Sequence, residues 1–292
     1  MVGVTSETAV RTVRLELEFD GGAFSGWQRQ KDRRSVQGVV EETLSRLLDA
    51  TTAVVGAGRT DAGVHARRMV ASFRTTSTKP VDLIARSLDG MLPEDVGVLG
   101  VLEAPPEFHA RRDARWKWYR YAVLRSRSRR VFERDRTWRV TADLDVARLR
   151  EGAALLEGKR DFAAFQNAGS PRTSTVRDVF ALRVTEDGPL LHLDAVADGF
   201  LYGMVRAIAG TLVEIGRGAR EVGSLPALLA RRDRSLSGAA APARGLCLMD
   251  VGYGADRPPF VDPALSRAVE SAPRPSEARP SCASSSPAAT WA

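Results

Sequence analysis

The sequence has few of the residues that build disulfide frameworks and metal cages. Two cysteines, Cys247 and Cys282, and three histidines occur among 292 residues. A disulfide scaffold and a zinc site of Cys and His ligands are excluded on that count. No apolar run approaches the ~20 residues of a transmembrane helix, and residues 1–10 lack the apolar segment of a signal peptide. We therefore expect a cytoplasmic protein without a membrane span.

Lysine is also scarce, although the chain is basic. Four of the 43 basic residues are lysines, and the net charge is +7. The excess is local, because residues 111–136 contain eleven basic side chains and three acidic ones. Such a segment is typical of proteins that bind a polyanion, with RNA or DNA as the first candidate. The alternative is a solvated basic face that has no partner.

Hydrophobic periodicity predicts an α+β protein of two parts. Alternating and apolar segments predict strands near 13–19, 54–55, 70–73, 96–102, 116–124, 176–184, 190–197 and 246–251. Helical spacing predicts helices near 36–48, 81–88, 144–156 and 202–215, the first with Ser35 as its N-cap. Residues 1–112 form the predicted N-terminal half and 113–254 the C-terminal half. Residues 255–292 hold seven of the 15 prolines and are predicted to be disordered.

The densest motif spans residues 56–66, where three glycines flank Arg59, Thr60 and Asp61. Glycines let a backbone turn tightly and let a ligand approach closely. An aspartate on such a loop can serve as nucleophile, general base or metal ligand. A metal site would need further acids, and no other acid lies within ten residues. The lysine of a phosphate-binding loop is missing as well. A structural turn with an Asx cap remains the alternative.

Two further segments could contribute to a site. Trp27 follows a strand and a glycine-rich turn, where it can line a cleft or pack inside the turn. Arg206 is the lone cation in an apolar helix that continues to Ile215. A cation on an apolar face is costly unless it pairs with an acid, and an otherwise unpaired catalytic aspartate would be a suitable partner. The alternative is an arginine that points to solvent.

Aromatic and basic residues alternate in the strand that begins at Trp116. One face of this strand carries Lys117, Tyr119 and Tyr121. Ring stacking together with phosphate neutralisation is a common way to hold single-stranded RNA. The other face carries Trp116 and Trp118, which we expect to point inward into the core.

Taken together, the motifs resemble those of the tRNA pseudouridine synthase A family, in the right order from about residue 13 to 253. The matching segments are Asp-Gly-x-x-Phe-x-Gly-Trp-Gln at 20–28, Ala-Gly-Arg-Thr-Asp-Ala-Gly-Val-His-Ala at 57–66, Phe-His-Ala-Arg at 108–111, Tyr-Arg-Tyr at 119–121, Asp-Phe-Ala-Ala-Phe at 161–165, Met-Val-Arg at 204–206 and Ala-Ala-Pro-Ala-Arg-Gly-Leu at 240–246. One departure is Asp89-Gly90-Met91-Leu92-Pro93, where the family usually has Asn-x-x-Leu-Pro. This difference puts the role of that loop in question.

The resemblance implies an enzyme that isomerises uridine to pseudouridine at positions 38, 39 and 40 of the tRNA anticodon stem-loop. It also implies a reaction without cofactor or metal, and a homodimer. The implied fold pairs two similar halves, each a mostly antiparallel sheet with packed helices, around a cleft between them.

The resemblance further assigns expected roles to individual residues. Asp61 falls on the catalytic aspartate, Tyr119 on the tyrosine that contacts the target base, and Arg206 on the arginine that pairs with the aspartate. Arg59 falls on a position linked to extrusion of the base. Shape rather than sequence would then select the RNA, with basic side chains positioning its backbone.

Two arginines at the start of the basic segment, Arg111 and Arg112, are predicted to bind the RNA. Three alternatives to this function stay open at this stage. The first is an RNA-binding module without catalysis. The second, a nucleotide hydrolase, is disfavoured by the missing lysine and carboxylate pair. The third is a related synthase that modifies other tRNA positions.

Overall fold

A ten-stranded sheet organises the chain in the computed structural model, which describes residues 9–169 and 174–260. The strands are β1 (Arg11–Phe19), β2 (Val54–Gly56), β3 (His65–Thr75), β4 (Val96–Ala104), β5 (Ala114–Arg125), β6 (Trp138–Val140), β7 (Gly158–Asp161), β8 (Val176–Asp187), β9 (Leu190–Ala197) and β10 (Leu246–Tyr253). The α-helices of these described residues are α1 (Val36–Leu48), α2 (Val81–Met91), α3 (Val146–Leu155), α4 (Met204–Gly216) and α5 (Leu225–Arg231).

The sheet is mostly antiparallel and runs in the order β4-β1-β3-β10-β5-β9-β8-β7, with β2 on β3 and β6 on β5. The last strand, β10, pairs in parallel with β3 and antiparallel with β5. It thereby joins strands from both predicted halves into one sheet. The predicted α+β class is confirmed. The boundary between 112 and 113 falls between β4 and β5, and the division into two halves around a cleft stays a prediction.

Helix α1 shows how local sequence sets an element and its buried face. The Ser35 hydroxyl accepts a hydrogen bond from the backbone N–H of Gly38, which satisfies one of the free donors of the first turn. Val36, Val40 and Leu44 recur every four residues and are fully buried, as expected for one helix face. The helix therefore forms where its cap and its apolar spacing predict it.

Helix α4 is a core helix with a single basic side chain. Eleven of its thirteen residues are buried. A side chain at Gly210 would meet the carbonyl oxygen of Ala239 at 1.9 Å, so glycine is needed for this close approach. The segment around residues 239–241 consequently lies directly against the helix. Arg206 therefore projects from a helix that is buried on almost all sides.

The tryptophan face of β5 lies outside the main core. Trp116 is buried, as predicted, whereas Trp118 is only partly buried, contrary to the prediction. Tyr121, on the opposite face, is fully buried in the main core. The tryptophans belong to a small separate cluster with Phe180, Ala181 and Val196. The Trp116 indole N–H donates to the carbonyl of Asp256 at 2.8 Å, and the Trp118 ring packs edge-on against Phe260. Residues 255–260 of the predicted tail thus lie on this face, and 261–292 lie outside the described residues.

Candidate active site

The loop that carries Asp61 joins β2 to β3. It leaves β2 with a hydrogen bond from the Ala57 N–H to the Val70 carbonyl, at 2.7 Å. It closes with a tight turn in which the Val64 N–H donates to the Asp61 carbonyl, at 3.2 Å. Because both ends are bound to strand β3 or lead directly into it, Asp61 is held on a short and well-supported bend.

The turn after β1 supports this loop from one side. The Trp27 N–H donates to the Thr60 carbonyl at 3.1 Å, and the Gly63 N–H donates to the Phe24 carbonyl at 3.3 Å. The Trp27 side chain is buried, and a side chain at Gly56 would overlap its indole ring. Trp27 is therefore part of a packed turn that supports the loop carrying Asp61, and it does not line a cleft.

Gly26 provides a test of this support. Its φ angle is +98°, and an added Cβ would lie 2.7 Å from the Thr60 carbonyl oxygen. We expect Gly26→Ala to lower the free energy of unfolding by about 1–3 kcal/mol and to reduce activity, because the chain beside Asp61 must move. Urea unfolding of the purified protein measures the first effect. Gly100→Ala is the control, since an added Cβ there meets nothing within 4 Å. Equal loss of stability in both variants would contradict the argument.

Asp61 and Arg206 form an ion pair between the loop and helix α4. The Arg206 Nη1 atom lies 2.9 Å from Oδ2 of Asp61, and the two side chains are 20% and 14% exposed. The Arg206 Nε–H also donates to the Ala241 carbonyl at 2.8 Å. The guanidinium is thus oriented at two points. The ion pair that the lone cation of α4 led us to expect is present, and it joins residues 145 positions apart.

Tyr119 lies on β5 beside this pair. Its side chain is buried, and its ring packs edge-on against Phe200 with the ring centres 5.2 Å apart. Burial raises the pKa of the Tyr119 phenol well above its usual range, and the nearby charge of Asp61 raises it further. The phenol therefore keeps its proton at physiological pH and is available as a hydrogen-bond donor.

The arginines predicted to contact substrate occupy different places. Arg59 is exposed on the same loop as Asp61, two residues before it. Arg111 and Arg112 are exposed in the turn before β5, where their backbone N–H groups donate to Nδ1 of His109 at 3.2 Å. The structure brings together Asp61, Arg206 and Tyr119, and it shows no contact between those three and Arg111 or Arg112.

Several contributions to the site were not predicted. The carbonyl of Ala241 orients Arg206, and the carbonyl of Pro242 accepts from the buried Tyr121 hydroxyl at 2.8 Å. The sequence did contain a signal for this segment, because residues 240–246 match a motif of the family that the chain resembles. Lys117, which the sequence placed on one face of β5, also reaches the loop that carries Asp61. Its Nζ atom lies 3.5 Å from the position that a Cβ atom at Gly58 would occupy.

A basic groove opens next to the turn that supports the loop. Its volume is about 790 Å³. Basic residues on its wall are Arg29, Lys31, Arg33 and Arg34. Arg29 pairs with Glu41 and Arg34 with Asp95. The groove therefore places basic side chains beside the turn that supports the Asp61 loop.

Residues 9–169 and 174–260 contain no group of three or more His, Cys, Asp or Glu side chains arranged to hold a metal ion. No helix in those ranges is long and apolar enough to cross a membrane.

Comparison with known proteins bears directly on this site. A family model described as tRNA pseudouridine synthase matches residues 17–113 and 153–254. Asp61 lies in the first range and Arg206 in the second, whereas Tyr119 lies in the stretch between them that the model does not match. The chain belongs to the tRNA pseudouridine synthase family. The resemblance predicted from the motifs is confirmed at this level.

Curated relatives of this synthase family match nearly along their whole length. The chain is 43% identical over 245 residues to "tRNA pseudouridine synthase A" of Geobacter sp. (strain M21), covering 84% of this chain and 99% of the relative. It is 44% identical over 243 residues to the protein of the same name from Moorella thermoacetica, covering 82% and 99%. A chain in "Crystal Structure of a Cbf5-Nop10-Gar1 Complex" is also similar, at 10% identity and a TM-score of 0.32 over 82% of this chain and 58% of that one. That last similarity is too low to support a conclusion.

The departure from the usual motif of this synthase family lies at the end of α2. The Asp89 carboxylate accepts a hydrogen bond from the Val98 N–H of β4 at 2.9 Å, and Leu92 is buried. An asparagine could make the same bond through its side-chain oxygen. The substitution therefore preserves a contact that holds α2 against the edge of the sheet.

Proposed function

We propose that this protein isomerises uridine to pseudouridine at positions 38, 39 and 40 of the tRNA anticodon stem-loop. The observation that carries the proposal is the 2.9 Å ion pair between Asp61 and Arg206 beside the buried Tyr119 phenol. This pair supplies one carboxylate with a fixed counter-charge, in a chain that belongs to a synthase family. Because tRNA is the substrate, we place the protein in the cytoplasm.

The reaction requires the uracil base to change its point of attachment. The bond between N1 and C1′ of ribose breaks, and a bond between C5 and C1′ forms. The proton lost from C5 is balanced by the proton gained at N1. Asp61 can assist by attack at C1′, by attack at C6, or by promoting elimination. In each route Asp61 acts through its carboxylate, and the Arg206 guanidinium lies 2.9 Å away as its counter-charge.

The target uridine must leave the stem before Asp61 can reach it. Flipping a base out of a stack costs a few kcal/mol. In our proposal, exposed Arg59 helps to extrude the base, while Tyr119 contacts it inside the site. The cleft between the two halves, divided at residues 112 and 113, receives the flipped nucleotide. Loop 57–64 and helix α4 supply its two sides.

Arg111 and Arg112 are proposed to contact the RNA backbone, since both are exposed and have no ion-pair partner in the described part of the chain. We expect Arg111→Glu or Arg112→Glu to weaken tRNA binding and to reduce the slope of log Kd against log salt concentration by about 1. Filter binding over a salt series measures both quantities. Arg46→Glu, at the exposed far end of α1, is the control. An unchanged slope would show that Arg111 and Arg112 face away from the RNA.

The direct test of the function is a map of pseudouridine in tRNA from a strain that lacks this gene. We expect positions 38, 39 and 40 to be unmodified and to regain pseudouridine when the gene is restored. Modification lost at other positions would favour a related synthase with different targets. Unaltered tRNA, together with no tritium release from 5-tritiated uridine in the stem-loop, would favour an RNA-binding module.

We also propose that the protein acts as a homodimer, as the family resemblance implies. A dimer would offer the RNA two copies of the basic surfaces described above. Light scattering of the purified full-length protein should give twice the chain mass of 31.7 kDa. A monomer mass at working concentration would contradict this part of the proposal.

A further inference from the structure

We propose that Phe132 stacks against an unpaired base of the RNA substrate. It lies in residues 126–137, between β5 and β6, which we name the arginine loop. The inference rests on the proposed function, because it takes the tRNA anticodon loop as the source of the base. It adds a binding residue that neither the motifs nor the ion pair at Asp61 indicated.

The exposure of Phe132 is the first observation. Its side chain is 97% exposed, the highest value for a large apolar side chain in the described residues, and neighbouring Val131 is 57% exposed. An aromatic ring of this size gains free energy when a partner removes it from water. Within residues 9–169 and 174–260 it has no ring partner. Its position therefore favours a partner outside the chain.

The charge around Phe132 identifies the kind of partner. The arginine loop contains five arginines and two acids: Arg127, Arg129, Arg130, Arg134, Arg136, Glu133 and Asp135. In the described structure, Arg129 and Arg130 have no acid within ion-pair distance. An aromatic ring among cations is the usual arrangement for single-stranded nucleic acid, with bases stacked and phosphates neutralised. A second copy of this loop would be repelled by the same charges, so RNA is favoured over a contact between copies.

The arginine loop is also tied to the active site. The Arg136 guanidinium donates to Asp20 at 2.9 Å, and Nε2 of His65 lies 3.2 Å from the Asp135 carbonyl oxygen. His65 begins β3 four residues after Asp61, so the two Cα atoms lie within about 14 Å. The anchored end of the loop consequently lies next to the catalytic bend, and Phe132 is three residues from it. The ring therefore lies on a loop anchored beside the site at which we propose that the RNA binds.

The stacking role predicts a specific change in binding. Removal of one base–aromatic stack weakens binding by about 5- to 150-fold. We therefore expect Phe132→Ala to raise Kd within that range, for a stem-loop that carries cytidine at the target positions so that no turnover occurs. Because phenylalanine is uncharged, the salt slope of Kd should stay unchanged. Arg130→Ala should instead reduce that slope. Phe132→Trp keeps an aromatic ring at this position, so its Kd should stay close to that of the natural protein.

Three measurements decide the proposal. Leu99→Ala, which removes a half-exposed apolar side chain from β4, is the control and should bind RNA like the natural protein. Light scattering should show that Phe132→Ala keeps the oligomeric mass of the natural protein. An unchanged Kd in Phe132→Ala would overturn the inference, and so would a lower mass, because the ring would then bind another copy of the chain.

If the natural protein makes no pseudouridine, the proposed function itself fails, whereas a fully active Phe132→Ala variant with normal Kd refutes only the stacking role.

Discussion

Asp61→Asn is expected to abolish pseudouridine formation while tRNA binding is kept. Asparagine has nearly the same shape, and its side-chain oxygen can still accept the hydrogen bond from Nη1 of Arg206, so the loop should keep its place. It has no negative charge and no basic or nucleophilic oxygen of comparable strength. Loss of a catalytic carboxylate of this kind should reduce kcat by about 10⁴-fold or more. Tritium release under single-turnover conditions measures the loss.

Asp250→Asn is the matched control for this experiment. Asp250 also forms an ion pair, with Arg68 at 2.8 Å, and its side chain is 29% exposed. It pairs in register with Trp118, so it lies on the face of the sheet opposite Tyr119. We expect this variant to retain activity close to that of the natural protein. Turnover at the natural rate by Asp61→Asn would refute the assignment of Asp61, and equal losses in both variants would indicate a general effect of removing an ion pair.

The parts of the fold that could be predicted are those specified by local pattern. Helix α1 follows from a Ser35 cap and apolar residues four apart, and the structure places it at Val36–Leu48. The hairpin of β8 and β9 follows from two strand patterns joined at residues 187–189. Strands β6 and β7 and helix α5 were not predicted. They contain three, four and seven residues, which is too short for a period to be recognised, and their neighbours determine them.

The orientation of β5 shows a second limit of sequence reasoning. Alternation separates the tyrosine face from the tryptophan face, but it does not reveal which face the helices cover. Residues of α3 and α4, including Leu149 and Leu212, line the same cavity as Tyr121, so that face became the main core. The choice depends on contacts between residues far apart in the chain. The same holds for the Ala241 carbonyl that orients Arg206.

The Asp61–Arg206 pair was more predictable than either of those features. The reason is energetic, because one cation in a helix with eleven buried residues requires an acid nearby. The sequence thus indicated that Arg206 had a partner, and the motif containing Asp61 supplied the best candidate. What pattern alone did not provide was the supporting turn of Gly26 and Trp27. Close backbone approach of that turn to Thr60 is a three-dimensional property.

Arg206→Ala is expected to produce the second large loss of activity. Truncation removes the counter-charge of Asp61 and the hydrogen bond to Ala241, so the carboxylate loses both its charge partner and its fixed position. A displacement of about 1 Å at a reacting group can cost 10²-fold in rate, and we expect kcat to fall by at least about that factor. The Kd for tRNA should change little, since Arg206 is 20% exposed and mostly covered by protein.

Arg206→Lys separates charge from orientation. A lysine keeps the positive charge, but its single ammonium group cannot reproduce the two-point geometry in which Nε donates to Ala241 and Nη1 to Asp61. If orientation matters, Arg206→Lys should lose most of the activity that Arg206→Ala loses, whereas full activity would show that charge alone suffices. Arg217→Ala, at the exposed end of the same helix, controls for effects on α4. Natural kcat in Arg206→Ala would mean that the ion pair holds the fold together without serving the reaction.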